Sequence, residues 1–248
     1  VQQQMPPTPS AQLSAGHVSS RGFVRSRGHP TQTQLDCKSA GPLARGGRVG
    51  KVKSACNHEV VSAASPTFTS FADYLVAEAA SDVKHEWCDG VIYAMSRGTP
   101  EHARLTMRIG RAIGNALDDG CEIYSSDAML YVEGAKLATY ADASVVCGAL
   151  ETKIVRRDGR SLGEAITNPV VIIEVLSEST ERYDRDGKFQ AYKQLPSLRE
   201  YVLVSQQDRH IEVHRRQASG GAWTCDVGEA GQRVSVHGAT IDVDAVYG

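Results

Sequence analysis

Apolar residues recur at helical spacing in two stretches of the chain. The first stretch follows Ser70, which opens a capping-box pattern, and it predicts a helix over residues 71–80. The second stretch has Thr99 as its cap and Pro100 as its first helical residue, and Gly120 ends it. The apolar stripes consist of Phe71, Leu75 and Ala79 in the first helix and of Leu105, Ile109, Ile113 and Leu117 in the second.

Strand patterns occupy most of the remaining chain. The segment NPVVIIEVLSEST contains a β-branched apolar run, residues 170–176, that is typical of a strand buried on both faces. KHEWCDGVIYAM predicts a hairpin that turns at Asp89-Gly90. Further strands are predicted over residues 121–126, 129–133, 137–146, 200–205, 210–215 and, more weakly, 234–243, with a helix over residues 184–195. This order predicts an α/β domain in which helices cover both faces of a sheet.

One acidic residue interrupts the most apolar strand. Glu174 stands between Ile173 and Val175, where a carboxylate is costly unless it is paired, accepts hydrogen bonds or binds a metal. Asp142, in TYADASVV, lies in another predicted strand, and Lys188, in DRDGKFQAY, lies on the helix that follows. If the two strands are neighbours, both carboxylates face one point. A hard cation such as Mg²⁺ is held by one or two carboxylates and keeps its waters.

The composition is that of an ordinary globular protein. Of the 248 residues, 41% are hydrophobic and 23% are charged, and no apolar run reaches the length of a membrane span. The six cysteines are far apart and form no CxxC pair, which argues against a zinc ribbon and against a disulfide scaffold. This cysteine usage suits a reducing compartment, so we expect a cytoplasmic protein without a membrane partner.

Residues 1–65 differ from the rest of the chain. They contain eight basic and two acidic residues, whereas residues 66–248 contain 19 basic and 27 acidic residues, so the net charges are +6 and −8. The first segment is rich in Gln, Pro, Ser and Gly without an apolar period, which predicts a disordered basic tail. A transit peptide and an arm that binds nucleic acid are the alternatives. GGRVGKV lacks the first glycine and the Ser or Thr of a phosphate-binding loop.

Eight segments follow one another in a characteristic order: FADYL, KHEWCDGVIYAMS, PEH, YSSD, YADASVV, NPVVIIEVLSEST, YDRDGKFQAYKQLPSLREYVLV and IDVDAVYG. In these segments the chain resembles the Uma-two family of putative restriction endonucleases, within the PD-(D/E)XK nuclease superfamily. The resemblance implies a restriction-endonuclease-like αβββαβ core, with a mixed central sheet flanked by helices and extra C-terminal strands. It also implies Mg²⁺-dependent hydrolysis of DNA, with Mn²⁺ as a substitute ion, and a homodimer like that of double-strand-cutting relatives.

The resemblance assigns roles to four residues. Asp142 and Glu174 match the two metal-binding acids of the superfamily. The lysine of the parent pattern would stand at Leu176, and the family carries it instead on the next helix, at Lys188. Glu86 in KHEW matches an acidic residue that often joins the metal site.

These residues also have structural interpretations. Instead of binding a metal, Glu174 would form a buried structural ion pair with a lysine or arginine. Lys188 follows Asp184 by four residues, which is the spacing of a solvent-exposed helical pair. His102 in PEH is either a residue of a helix N-terminus or a neutral imidazole near the site. Tyr192, one turn after Lys188, either packs in the core or contacts phosphate.

Two further groups receive weaker interpretations. His210 and His214 share a strand face but lack a third metal ligand, so we do not assign them a metal. Arg156, Arg157 and Arg160 are predicted to lie in a loop that is either solvated or in contact with phosphate. For the whole protein, two alternatives to a DNA endonuclease stay open. One is a non-catalytic module that binds nucleic acid or protein on the same fold, and the other is a phosphohydrolase that acts on RNA or nucleotides.

Overall fold

The structure, a computed structural model, describes residues 68–218 and 221–248. The helical elements are α1 (Phe71–Ala79), α2 (Pro100–Gly114), α3 (Glu181–Tyr183), a π-helical turn (Asp184–Lys188), α4 (Phe189–Tyr192) and α5 (Val243–Tyr247). No helix in these ranges has the length and apolarity that a membrane span requires. The predicted basic tail lies outside the described residues and stays a prediction.

The strands are β1 (His85–Cys88), β2 (Val91–Ala94), β3 (Cys121–Ser125), β4 (Leu130–Val132), β5 (Leu137–Thr139), β6 (Ala143–Cys147), β7 (Thr152–Arg157), β8 (Arg160–Ile166), β9 (Val171–Leu176), β10 (Glu200–Ser205), β11 (His210–Arg216), β12 (Trp223–Glu229), β13 (Arg233–Val236) and β14 (Ala239–Asp242). Six of them form a mixed central sheet in the order β12-β11-β10-β9-β6-β3. Strands β9 and β10 are parallel, and the other neighbours are antiparallel. All six residues of β9 are buried, which explains its β-branched composition.

Helices cover both faces of the central sheet. The apolar stripe of α2 packs with the odd-numbered residues of β9 on one face. On the other face, Ile172 and Leu176 pack with Phe189 and Tyr192 of α4. Because successive side chains of a strand point to opposite faces, Glu174 belongs to the set that faces α4. The predicted α/β architecture with helices on both faces is confirmed.

A second sheet and a short hairpin complete the domain. The second sheet has the order β2-β1-β5-β4-β8-β7, and Tyr74 and Leu75 of α1 pack with its Trp87. Strands β13 and β14 pair with each other and contribute Val236 and Ile241 to the core under α2. They are the extra C-terminal strands that the sequence predicts.

Local signals in the sequence placed several boundaries correctly. Ser70 Oγ accepts a hydrogen bond from the backbone N–H of Asp73, and Thr99 Oγ1 accepts one from the backbone N–H of His102, both at 3.1 Å. Asp89 adopts a positive φ at the turn between β1 and β2. The strands predicted over residues 170–176, 200–205 and 210–215 are confirmed to within one residue.

The single strand predicted over residues 137–146 is wrong. This segment forms β5 and β6, which belong to different sheets, and the chain crosses from one sheet to the other at residues 140–142. Because both strands are buried, the apolar pattern continues across the break. The second predicted helix also ends early, at Gly114 rather than Gly120, since Gly114 and Asn115 are weak helix formers.

The loop predicted around Arg156, Arg157 and Arg160 is also wrong. These residues lie in the hairpin of β7 and β8, which turns at Asp158 and Gly159, both with positive φ. All six residues of β7 are exposed or half-buried, so the strand lacks the alternation of buried and exposed residues that marks a half-buried sheet. Strand β12 was not predicted because it also lacks an alternation of buried and exposed residues.

The expectation of a chain without a disulfide scaffold is wrong at Cys121 and Cys147. Cys121 and Cys147 are 26 residues apart in the sequence and are joined by a disulfide. The antiparallel pairing of β3 with β6 places them directly opposite one another. Spacing along the chain does not reveal this proximity, because the register of the sheet creates it.

Candidate active site

Asp142 and Glu174 meet across two neighbouring strands. The register of β6 and β9 pairs Ala143 with Ile173, and its continuation by one residue places Asp142 opposite Glu174. Residues opposite each other in an antiparallel pair point to the same face. Asp142 Oδ2 accepts a hydrogen bond of 2.7 Å from the backbone N–H of Val175, which holds its carboxylate against β9.

Two donors from the helix after β9 reach the Glu174 carboxylate. Lys188 Nζ and the Tyr192 hydroxyl each donate a hydrogen bond of 3.0 Å, and both bonds go to Oε1. Lys188 Nζ also lies 3.1 Å from Asp184 Oδ1. Glu174 is 3% exposed and Lys188 is 6% exposed, so this pairing is buried. These two hydrogen bonds explain how the most apolar strand accommodates a carboxyl group.

A π-helical turn directs Lys188 toward the sheet. The predicted helix over residues 184–195 in fact begins at Glu181 and runs through the wider turn before α4 ends at Tyr192. Such single π turns occur often at functional sites. Both ends of the turn, Asp184 and Lys188, are buried, so the interpretation of these two residues as a solvent-exposed pair is wrong.

Burial and charge set the protonation of this pair. Burial raises the pKa of Glu174 to about 8, against the opposing effect of the Lys188 ammonium. Burial alone would lower the pKa of Lys188, but the carboxylates of Asp184, Glu174 and Glu86 together raise that pKa well above its usual value. The lysine therefore keeps its proton, and Glu174 takes up a proton readily around neutral pH.

His102 is the partner of Asp142. Its Nε2 lies 3.1 Å from Asp142 Oδ2. The hydrogen bond with Asp142 raises the pKa of His102, and partial burial opposes this effect. Because the Thr99 cap fixes the first turn of α2, the imidazole is positioned at the carboxylate rather than left at a solvated helix end.

Glu86 enters the cluster from the second sheet. It lies on β1 and is 2% exposed, and its Oε2 accepts a hydrogen bond of 2.6 Å from Thr139 Oγ1. The Tyr183 hydroxyl donates to its Oε1. Both oxygens therefore accept hydrogen bonds from the protein, and Glu86 acts on Lys188 through its charge. Sequence reasoning missed Tyr183 and the burial of Asp184, although both lie within the matched segment YDRDGKFQAY.

The donors of this site fit a hard cation held by two carboxylates. In each of Asp142 and Glu174, one oxygen accepts the hydrogen bonds described above, while Asp142 Oδ1 and Glu174 Oε2 lie outside them. Oxygen ligands of this kind suit Mg²⁺ or Mn²⁺. Asp142, Glu174 and Glu86 do not form one of the compact three-ligand groups found among the described residues, so Glu86 does not complete a carboxylate triad.

The two histidines of β11 have a different role from the one that their spacing suggests. Glu212 lies between them, with Oε1 at 3.0 Å from His210 Nε2 and Oε2 at 3.3 Å from His214 Nε2. Arg185 Nη1 also donates to Glu212 Oε1 at 2.7 Å. The alternation of residues 210, 212 and 214 on one strand face was the signal for this cluster. Burial alone would raise the pKa of Glu212, but the hydrogen bonds with His210, His214 and Arg185 lower this pKa overall.

Asp142, Glu174 and Lys188 thus lie together on one face of a mixed sheet that helices and a second sheet cover. This fold is that of the restriction-endonuclease-like class of α/β domains. The sequence pattern of the family Uma2, described as "Putative restriction endonuclease", matches residues 71–243. The chain belongs to this family.

The chain is also similar to two named proteins and to one solved structure. The "Uncharacterized protein slr1290" of Synechocystis sp. is 36% identical over 178 residues, which are 71% of this chain and 89% of that protein. The "Uncharacterized protein sll1609" of the same organism is 32% identical over 146 residues, or 58% of this chain and 79% of that protein. A crystal structure described as a putative nuclease belonging to DUF820, from Anabaena variabilis, has a TM-score of 0.50 at 15% identity. The match covers 67% of this chain and 91% of the chain in that structure, and it shows the fold alone.

Proposed function

We propose that this protein is an Mg²⁺-dependent endonuclease that hydrolyses phosphodiester bonds of DNA. The observation that carries the proposal is the meeting of Asp142 and Glu174 on adjacent strands, with the buried ammonium of Lys188 bonded to Glu174. Two acids on one face of a sheet, with a lysine from the helical turn that packs against that face, are suited to metal-assisted hydrolysis. The family description and the fold support the same class of activity.

Asp142 and Glu174 would hold the cation, with Mn²⁺ as a substitute for Mg²⁺. When bound, the metal supplies an activated water and stabilises the charge that develops on the phosphate oxygens. Lys188 has three N–H donors and gives one of them to Glu174, so this lysine keeps a donor for a phosphate oxygen or for the attacking water. Tyr192 fixes the rotamer of Glu174 by its hydrogen bond.

The other residues of the cluster position these three. His102 holds Asp142 Oδ2, so that the second oxygen of this carboxylate faces the site. Glu86, held by Thr139 and Tyr183, places a negative charge near Lys188 and keeps this lysine protonated. We therefore assign Glu86 and His102 to positioning and electrostatics.

Cleavage of supercoiled plasmid DNA with Mg²⁺ or Mn²⁺ tests the proposal. Asp142→Asn and Glu174→Gln should each lower the cleavage rate by at least about 10²-fold, which is typical for the loss of one preorganised electrostatic group. Glu229→Gln, at an exposed carboxylate of β12, is the matched control and should cleave like the wild type. Circular dichroism establishes that each variant folds. Wild-type cleavage by either site variant would refute the assignment of Asp142 and Glu174.

The charge of the chain favours a second candidate substrate. Residues 66–248 have a net charge of −8, whereas duplex DNA binding relies on basic residues that neutralise phosphates. A phosphohydrolase that acts on nucleotides needs fewer such contacts. A panel of plasmid DNA, RNA and nucleoside triphosphates, each with Mg²⁺, separates these activities. Binding of DNA without hydrolysis of any substrate would instead indicate a non-catalytic module.

A further inference from the structure

Two sulfurs and one imidazole meet at the far end of β6. Cys121 begins β3, Cys147 ends β6, and the two residues are opposite each other in the sheet. His237 Nε2 lies 3.3 Å from Cys147 Sγ and 3.9 Å from Cys121 Sγ. All three residues are half-buried, so the cluster is accessible from solvent. The sequence does not reveal this group, because His237 is 90 residues from the nearer cysteine.

The backbone alone keeps the two cysteines close. The N–H of Gly148 donates to the carbonyl of Gly120 at 2.7 Å, immediately beyond the cysteines in the register. Cys121 and Cys147 therefore form a non-hydrogen-bonded pair, in which opposed side chains approach most closely. Their proximity does not depend on the bond between the sulfurs.

A separate element presents the imidazole. His237, with φ of +48°, and Gly238 form the turn between β13 and β14. The backbone N–H of His237 donates to Glu200 Oε2 at 2.6 Å, and Arg215 Nε donates to Glu200 Oε1 at 2.7 Å. Glu200 is buried, so an anchored carboxylate of the central sheet fixes the turn that carries the histidine.

We propose that Cys121, Cys147 and His237 form a redox-controlled binding site for a thiophilic divalent cation of the Zn²⁺ type. The bond lengths of zinc sites put nitrogen and sulfur ligands of one tetrahedral ion about 3.5 Å apart. The two distances from His237 Nε2 to the sulfurs, 3.3 and 3.9 Å, lie on either side of this value. Three protein ligands leave a fourth position for water.

The redox state decides whether the site can bind metal. A disulfide has no thiolate to offer, so the bonded state of Cys121 and Cys147 excludes the ion. A dithiol reductant transfers two electrons and two protons to the sulfurs and is itself oxidised to a disulfide. The two thiols then release their protons to solvent as the cation binds, and the imidazole donates the lone pair of its unprotonated Nε2.

This site is independent of the proposed nuclease site. Asp142 precedes the first residue of β6 and Cys147 is its last residue, so about 16 Å of strand separates them. The ligands also differ in kind, since thiolate and imidazole select softer ions than the carboxylates of Asp142 and Glu174. Failure of one site leaves the other standing.

Cobalt(II) is the probe of choice, because thiolate ligands give it an intense charge-transfer band that oxygen ligands do not. The full chain with C37S, C56S, C88S and C225S is reduced with a phosphine, freed of metal and titrated with Co²⁺. We expect one Co²⁺ per chain with the thiolate band, displaced by one Zn²⁺. The oxidised protein should show no band. H237Q should weaken binding by at least the roughly 10–100-fold that is typical of changes around metal ligands.

Two controls separate the outcomes. D142N/E174Q, in the same background, should keep the thiolate band, because the carboxylate site does not contribute to it. If the quadruple variant does not fold by circular dichroism, the same titration compares the reduced wild-type chain with C121S/C147S. In either background, the proposal is overturned if the reduced pair gives no thiolate band, or if H237Q binds Co²⁺ as tightly as its parent.

Discussion

At the scale of single residues, the burial of Glu174 makes its ionisation costly, and a bound cation would offset that cost. Glu174 is 3% exposed, and burial raises the pKa of its carboxyl group to about 8. Ionisation of this group is therefore unfavourable at neutral pH in the metal-free protein. Lys188 and Tyr192 both approach Oε1 and compensate only part of this cost. A divalent ion beside the other oxygen would remove the remainder.

The metal-free protein should lose stability as the pH rises from 5 to 8, because of Glu174. The pKa of Glu174 is about 8 in the folded state and near 4.5 when unperturbed, so the folded state binds this proton more tightly. The resulting stabilisation is complete below pH 4.5 and is lost as the pH rises toward and through 8. Urea unfolding in EDTA between pH 5 and 8 measures this loss. Glu174→Gln should have a flatter profile than the wild type, and equal slopes would contradict the expectation.

The affinity for Mg²⁺ should rise over the same pH range. The ionised carboxylate is the form that binds metal, so each binding event below pH 8 should release a proton. Calorimetric titrations with Mg²⁺, in buffers of different ionisation enthalpy, count the released protons. An affinity independent of pH from 6 to 8 would show that Glu174 is not a ligand.

Lys188 should be far more important for stability than an exposed lysine in an ion pair. Lys188→Met removes the buried ammonium that contacts the carboxyl groups of both Glu174 and Asp184, so we expect a loss of about 3–5 kcal/mol in the free energy of unfolding. Lys153→Met is the matched control: Lys153 pairs with the exposed Glu133, and its loss should cost about 0–1 kcal/mol. Denaturant unfolding of both variants decides the matter. Similar losses would mean that Lys188 is not a buried counter-charge.

Among the secondary-structure elements, the π-helical turn has the most specific effect on the site. Residues 184–188 add one residue to a helical turn, and this changes the direction of everything that follows. In this register both Lys188 and Tyr192 donate to Oε1 of Glu174. The local widening of the helix therefore decides whether the lysine faces the sheet.

Deletion of Gly187 tests the role of this turn. Without one residue the segment can form a regular α-helix, in which Lys188 follows Asp184 by three residues instead of four, so the present contact between the two side chains changes. We expect cleavage to fall as far as in Glu174→Gln, with helix content retained in circular dichroism. Asp186→Ala, at an exposed position of the same turn, keeps the register and should retain activity. Full activity of the deletion variant would refute a requirement for the π turn.

At the scale of the whole molecule, the site joins the two sheets. Glu86 comes from β1 of the second sheet, whereas Asp142 and Glu174 belong to the edge between β6 and β9 of the central sheet. The C-terminal hairpin covers the opposite face together with α2. The cluster therefore depends on how both sheets pack and not on either sheet alone.

Two glycines test this packing with effects of opposite sign. An added Cβ at Gly228 would lie 2.4 Å from Val234 Cγ1 and 3.0 Å from Val243 Cγ2, so Gly228→Ala should destabilise the protein by about 1–3 kcal/mol. Gly110 lies within α2, and a Cβ there would meet only Ile123 at an ordinary 3.7 Å. Gly110→Ala should stabilise by about 0.5–1 kcal/mol. Thermal unfolding checks both, and a stable Gly228→Ala variant would contradict the close contact.

Local patterns in the sequence determined most elements and named the acids. The caps at Ser70 and Thr99, the turn at Asp89-Gly90 and the run of β9 act through near neighbours, so the chain itself encodes them. Family motifs marked Asp142, Glu174 and Lys188 as candidates for one site, and the structure brings them together. Their catalytic roles stay predictions.

Only the tertiary structure decided which distant residues meet. It divided residues 137–146 between two sheets, turned Lys188 inward through a π-helical turn, and set His237 against two cysteines from other strands. Each of these features follows from sheet register or from one extra residue in a helical turn. Such features connect residues that are far apart in sequence, and no pattern of neighbouring side chains carries that information.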